Sequence, residues 1–235
     1  MIAAGFVVLS VAVLVWTYSS IPRAAMACGD APLAALALRR RFLAAALAWV
    51  AIAMALAWIG VLKRWDVRPP PLMGLLVCIL ALGPIIARSE AGDRLARGLP
   101  LAALVGLQSF RLPLEVLMHR AAEDGLMPVQ MSYSGLNFDI VTGATAVMLA
   151  AWLRAGHPPR AVVQAWNILG LLLLANIVTV AVLSTPVFAA FGSSADRLNT
   201  FVTEVPFVLL PTVLVLTAWA GHLIVFRALR VSRDR

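Results

Sequence analysis

Apolar residues fall along this chain in seven long runs, with most of the charge gathered in the short segments between them. The runs cover about 2–20, 41–62, 71–88, 98–119, 138–155, 161–185 and 204–228. Each approaches the ~20 residues that a helix needs to cross a ~30 Å hydrocarbon core. The connections leave no room for a separate soluble domain, and no repeat relates the two halves. The expected architecture is therefore one all-α unit of seven transmembrane helices. Asp30 is placed to cap the second helix, with Pro32 in its first turn, which would carry that helix from about Ala31 to Leu62. Pro84, Pro206 and Pro211 mark expected kinks.

Composition supports a membrane protein. Of 235 residues, 62% are hydrophobic and 13% charged, and the mean hydropathy is +0.94, too little polar surface for a soluble domain of that size. The formal net charge is +8. The cations lie between apolar runs rather than in a patch interleaved with aromatics, which points to topology and anionic lipid headgroups and excludes nucleic acid as a partner. With the C-terminus inside, thirteen cations fall on the cytoplasmic side, among them Arg39, Arg40, Arg41, Arg227, Arg230, Arg233 and Arg235. Lys63, Arg64, Arg68, Arg120 and Arg197 fall on the other, leaving Arg111 in the membrane. The expected orientation is N-out, C-in. The first run followed by "AMAC" superficially resembles a secretory signal but lacks a basic leading segment, so an uncleaved span is expected. Cys28 and Cys78 make no metal motif and no expected disulfide.

Ionisable side chains at membrane depth are the candidate chemistry. In the fourth run Gln108, Arg111, Glu115 and His119 stand at steps of 3, 4 and 4, along one helical face. Leu107, Leu112, Leu114 and Leu117 occupy the other. An Arg111–Glu115 pair at i, i+4 is the structural alternative to a site. Pro113 removes one ladder hydrogen bond and frees the Ser109 carbonyl. The following stretch, "GLMPVQMSYSGLNFDIVTG", adds Asn137 and Asp139, either of which suits an N-cap of the fifth helix. Glu204 opens the seventh run at the same depth. Convergence of these groups at the outer side fits three chemistries. One is proton relay or small-molecule and ion binding, with Glu115 carrying the proton and Arg111 as counter-charge or anion receptor. Another is a divalent metal such as zinc on Glu115, His119 and Asp139, activating water in a membrane enzyme. The third is a lipid headgroup or small ligand held without turnover. His222 is expected near the inner boundary, ~27 Å along the helix from Glu204 and apart from this site. That separation and the lack of a CxxCH motif speak against haem. Asn167 and Asn176 read as bridges between helices.

The segment "FRLPLEVLMHRAAEDGLMPVQMSYSGLNFDIVTGATA" resembles the signature of a bacterial family of small polytopic membrane proteins, in its FRxPxE and MSYxGxNFD elements. "WNILGLLLLANIV" and "VPFVLLPTVLV" are similar to later helices of that family, whereas "STPVF" departs from its form. The resemblance spans about 97–225 and implies a seven-span inner-membrane protein. It makes Arg111, Glu115, Asn137, Phe138 and Asp139 motif positions without roles. The resulting expectation is a bacterial inner-membrane protein with a periplasm-facing ionisable pocket of Gln108, Arg111, Glu115, His119, Asn137, Asp139 and Glu204. Its expected function is proton-coupled transport or binding of a small molecule or ion, with membrane lipids as partners and no cofactor. The alternatives are a metal-dependent membrane enzyme and a non-catalytic subunit of a larger complex. Substrate, oligomeric state and protein partners are left open.

Overall fold

A backbone surrounded by lipid must satisfy its own hydrogen bonds, and a helix does so within one segment. The computed structural model of the protein describes residues 1–231 and is all-α, with no strand among those residues. Its helices are α1 (Ile2–Ala27), α2 (Pro32–Trp58), α3 (Pro71–Arg88), α4 (Glu90–Gly98), α5 (Leu101–Leu107), α6 (Arg111–Glu123), α7 (Ile140–Ala155), α8 (Arg160–Leu183) and α9 (Leu216–Val231). Among the described residues, six helical stretches are long and apolar enough to cross a membrane: α1, α2, α3, α5 with α6, α8, and Leu210–Val231. These make the chain a multi-pass membrane protein in outline. The fifth expected span, α7, is apolar but shorter, at 16 residues. Arg233 and Arg235 lie outside the described residues.

The structure departs from the hydrophobic pattern in four places, each with a local cause. α2 starts at Pro32, with Ala31 at its N-cap and no side-chain cap. Asp30 instead pairs with Arg94 at 2.7 Å. The fourth run is not one helix: a 3₁₀ turn, Gln108–Phe110, divides α5 from α6. Pro113 thereby falls in the first turn of α6, where a missing N–H disrupts little. In the seventh run, residues 204–208 precede the helix, and Leu210–Val215 forms a π-helical turn. Trp49 Nε1 donates to the Thr212 carbonyl at 2.8 Å, satisfying an oxygen within that widened turn. Finally, the charged segment between the third and fourth runs is a helix, α4. Ser89 caps it by accepting from the Gly92 N–H at 3.2 Å, and its acids stand at the start and Arg97 at the end, as the helix dipole favours.

Side-chain burial divides the bundle into two apolar cores. One joins Phe6, Ile79, Leu114, Met118, Ile177 and Leu214. The other joins Ile21, Ala96, Val105, Ala146, Val163 and Val225. α9 packs against α3, α4, α5 and α8, and α7 against α5 and α6. The second core lies toward the end where α3 and α9 finish and α2 and α8 begin, here termed the basic end.

At that end Asp93 gathers cations from two elements. It bonds Arg94 and Arg97, each at 2.9 Å, and also Arg227 of α9. Burial would raise Asp93, but the hydrogen bond from Arg97 and the charges of Arg227 and Arg97 hold its carboxyl below the ordinary value of 3.8. Asp93→Asn should cost about 1–2 kcal/mol at neutral pH, as loss of a half-buried charged network does. Because the folded value is depressed, that contribution exists above pH 3.8 and disappears as pH falls through the lower folded value. Unfolding curves of the two proteins at pH 7 and at pH 3 test this; a gap that persists undiminished at pH 3 contradicts it.

Candidate functional site

The two apolar cores are separated by a layer of buried polar side chains from four helices. Gln108, Arg111, Thr142, Asn167 and His222 are each at most 2% exposed. A guanidinium at that depth persists only when its donors are matched. Arg111 Nε pairs with Asp139 Oδ2 at 2.7 Å, and Arg111 Nη1 donates to His222 Nε2 at 2.9 Å. Because arginine only donates, His222 accepts at Nε2 and carries its hydrogen on Nδ1. That hydrogen goes to Asn167 Oδ1 at 2.7 Å, while Asn167 Nδ2 donates to the His222 carbonyl at 3.0 Å. The amide bridges α8 to α9, as expected of an amide in a membrane helix, whereas Asn176 donates to the Leu136 carbonyl at 2.7 Å, in the turn before α7 and not on a helix.

Glycines make this layer possible by leaving space. A Cβ on Gly143 would stand 2.4 Å from the Leu112 nitrogen, so α7 touches the backbone of α6 directly. A Cβ on Gly170 would lie 2.4 Å from His222 Cε1, and one on Gly221 would lie 2.4 Å from Gln108 Nε2. Gln108 crosses above Gly221 to donate to the Ala218 carbonyl at 3.2 Å.

Glu115, one turn beyond Arg111, is also buried, at 1% exposure. Among the described residues it pairs with no cation: Asn137 Nδ2 donates to Glu115 Oε2 at 2.7 Å and to the Met131 carbonyl at 3.0 Å. Asn137 Oδ1 accepts from the Asp139 N–H at 3.0 Å, an Asx turn that swings the Asp139 carboxylate to Arg111. Asp139 occupies the N-cap position of α7 but does not cap it with its side chain. The expected alternative of an Arg111–Glu115 pair is replaced by Arg111–Asp139, because the Asx turn delivers a better placed carboxylate.

Arg111, Glu115 and Asp139 line one end of a cavity of about 90 Å³. Its other walls are apolar, from α3 (Leu72, Leu75, Ile79), α8 (Leu174, Ile177), Met118 and the π turn (Leu210, Leu214). α3 and α8 flank it without packing closely on each other. Asn199 and Thr185 close its far end, and Asn199 Nδ2 anchors that loop to the Ala181 carbonyl at 3.0 Å. Asp139 Oδ1, Arg111 Nη2 and Gln108 Oε1 are buried without a hydrogen-bond partner among the described residues.

The structure brings together Arg111, Glu115, Asn137 and Asp139, sets Gln108 in the polar layer against α9, and leaves His119 and Glu204 apart. His119 bonds Ser134 Oγ at 3.0 Å, stacks on Tyr133 at 4.2 Å and approaches Glu123 at 3.3 Å. Glu204 pairs with Lys63 at 2.9 Å on the surface, with half of each side chain exposed. Among the described residues, no three His, Cys, Asp or Glu side chains form a group that could hold a metal ion. His222 is the partner that the sequence reading misplaced. The expected depth treats 204–222 as one helix, but residues 204–208 are not helical, and His222 stands twelve residues beyond Leu210 in the stretch Leu210–Val231. The faint signal was Asn167 and Gly170 on α8, with Gly221 next to His222. Comparison with protein-family models, curated proteins and solved structures returns no match to this chain.

Proposed function

We propose that this is a seven-span bacterial inner-membrane protein, N-out and C-in, that binds a small lipid-soluble cation in exchange for a proton on Glu115. The observation that carries the reading is a charge count. Two buried carboxyls, Glu115 and Asp139, face one buried cation, Arg111, at the end of an apolar cavity. A net charge left in such surroundings is strongly disfavoured, so the odd carboxyl calls for a proton or for a cationic ligand. Asp139 is held by Arg111, which leaves Glu115 to trade one for the other. The apolar walls suit an alkyl chain, and the gap between α3 and α8 suits entry from the bilayer. Orientation follows from the cations: among the described residues, eleven lie toward the basic end and five toward the other. α7 serves as the seventh span, its shortness offset by the buried Asn137–Asp139 turn that leads into it.

Calorimetric titration of the purified protein with octyltrimethylammonium, in two buffers of different ionisation enthalpy, tests the exchange. The probe has no proton of its own, so about one proton should be released per cation bound, and none from Glu115→Gln, which should also bind at least tenfold more weakly. Binding without proton release, or an unchanged Glu115→Gln, overturns the reading. Tighter binding of octyl sulfate would instead make Arg111 an anion receptor. The metal alternative draws less support from the geometry, since His119 faces Ser134 and Tyr133 while Asp139 is engaged by Arg111.

A further inference from the structure

A second recess lies toward the basic end, between the last turns of α3 and the face of α9. It is a groove of about 530 Å³ that follows most of the length of α9, lined by Pro84 and Arg88 of α3 and by Trp219, Leu223, Phe226 and Arg230 of α9. The volume is in the range of small-ligand sites. On α9 the residues recur at helical spacing along one face. Both helices change in the same direction, from apolar side chains within the bundle to arginine at its end. From Trp219 to Arg230 this face runs ~16 Å, the reach of a headgroup and the upper part of an acyl chain.

The floor of the groove is fixed. Trp219 lies against Gly83, where a Cβ would stand 1.8 Å from the indole, and its Nε1 donates to the Leu80 carbonyl at 3.1 Å. Arg227, at the back, is already engaged by the Ala87 carbonyl at 2.8 Å and by Asp93. Arg88 and Arg230 differ. Both are exposed at the rim, and among the described residues neither has a hydrogen-bonding or acidic partner. Two guanidiniums without a partner among the described residues, above an apolar slot, match a phosphodiester in charge and in fork geometry, and the slot matches the chain beneath it.

We infer that this groove is a binding site for an anionic phospholipid, its phosphate held by Arg88 and Arg230 and one acyl chain laid along Trp219, Leu223 and Phe226. The site is separate from the Arg111 cavity and does not depend on the function proposed for it.

The full-length protein in nanodiscs or micelles, titrated with phosphatidylglycerol and with phosphatidylcholine of the same chains, tests the assignment by native mass spectrometry. Phosphatidylglycerol should be retained at least fivefold over phosphatidylcholine. The preference should fall to about one in Arg88→Gln/Arg230→Gln, which alters only exposed side chains that have no partner among the described residues. Arg154→Gln/Arg160→Gln, two exposed arginines of the same end outside the groove, should keep it. Equal retention of the two lipids overturns the proposal. So does an equal loss in both double variants, which would make the attraction diffuse. Displacement of phosphatidylglycerol by millimolar inorganic phosphate would identify a free-phosphate site in place of a lipid site.

Discussion

Arg111→Met should lower the stability of the protein by about 3–5 kcal/mol, the range for removing one partner of a buried ion pair. The substitution keeps most of the stem's volume, so the loss falls on what the guanidinium satisfied. Asp139 would keep a carboxylate at 3% exposure with its cation gone, and His222 Nε2 would lose its donor. Arg111→Met combined with Asp139→Asn should recover more than half of the loss, because the stranded charge is then gone as well. Unfolding of wild type, both single variants and the double variant in mixed micelles completes the cycle. A single Arg111→Met within ~1 kcal/mol of wild type would show that the pair does not hold the layer together.

Gly143→Val is the second large effect, about 3 kcal/mol, at the upper part of the range for overpacking. The atoms in the way are backbone: the Leu112 nitrogen at 2.4 Å and the Arg111 carbonyl carbon at 3.0 Å from the position a Cβ would take. A side chain could rotate aside, but here α6 and α7 must part, and parting them stretches the Arg111–Asp139 bond. The effects of Gly143→Val and Arg111→Met should therefore add to less than their sum. Gly74 supplies the contrast. A Cβ there meets nothing within 4 Å, so Gly74→Ala should gain about 0.5–1 kcal/mol from helix propensity alone. A comparable loss at Gly74 would remove the packing explanation at Gly143.

What the sequence revealed of this molecule was whatever is local along the chain. Six membrane-length helices follow from runs of apolar residues, and the burial of Gln108, Arg111 and Glu115 follows from their helical spacing. The grouping of Asn137 and Asp139 with them was legible because the connecting segment is short. His119 sits on the same nominal stripe but lies outward of the cavity, since one face of a helix still passes through several depths of the bundle. The pairing choice was not legible: an Asx turn at Asn137 decides that Asp139 and not Glu115 meets Arg111. Nor was His222, because depths on separate helices compare only once it is known where each helix starts. Close backbone approach at Gly143 leaves no periodic trace, and α4 reads as a loop because its nine residues, charged and small apart from Leu95, fall below the length of any span. The family resemblance marked several of the same positions but attached no role to them.

The polar layer also bears on how the chain is made. Helices enter the bilayer in order of synthesis, and an arginine near the centre of a span adds about 2.5–3.5 kcal/mol to the cost of entry. Arg111 reaches the insertion machinery before Asp139, and His222 follows 111 residues behind it. The α5–α6 unit is thus poorly suited to settle alone, and its natural companion is α7, which brings both the counter-charge and the glycine that lets the two helices touch. These elements are therefore expected to enter the bilayer as a pair, with α9 closing the layer once it follows them.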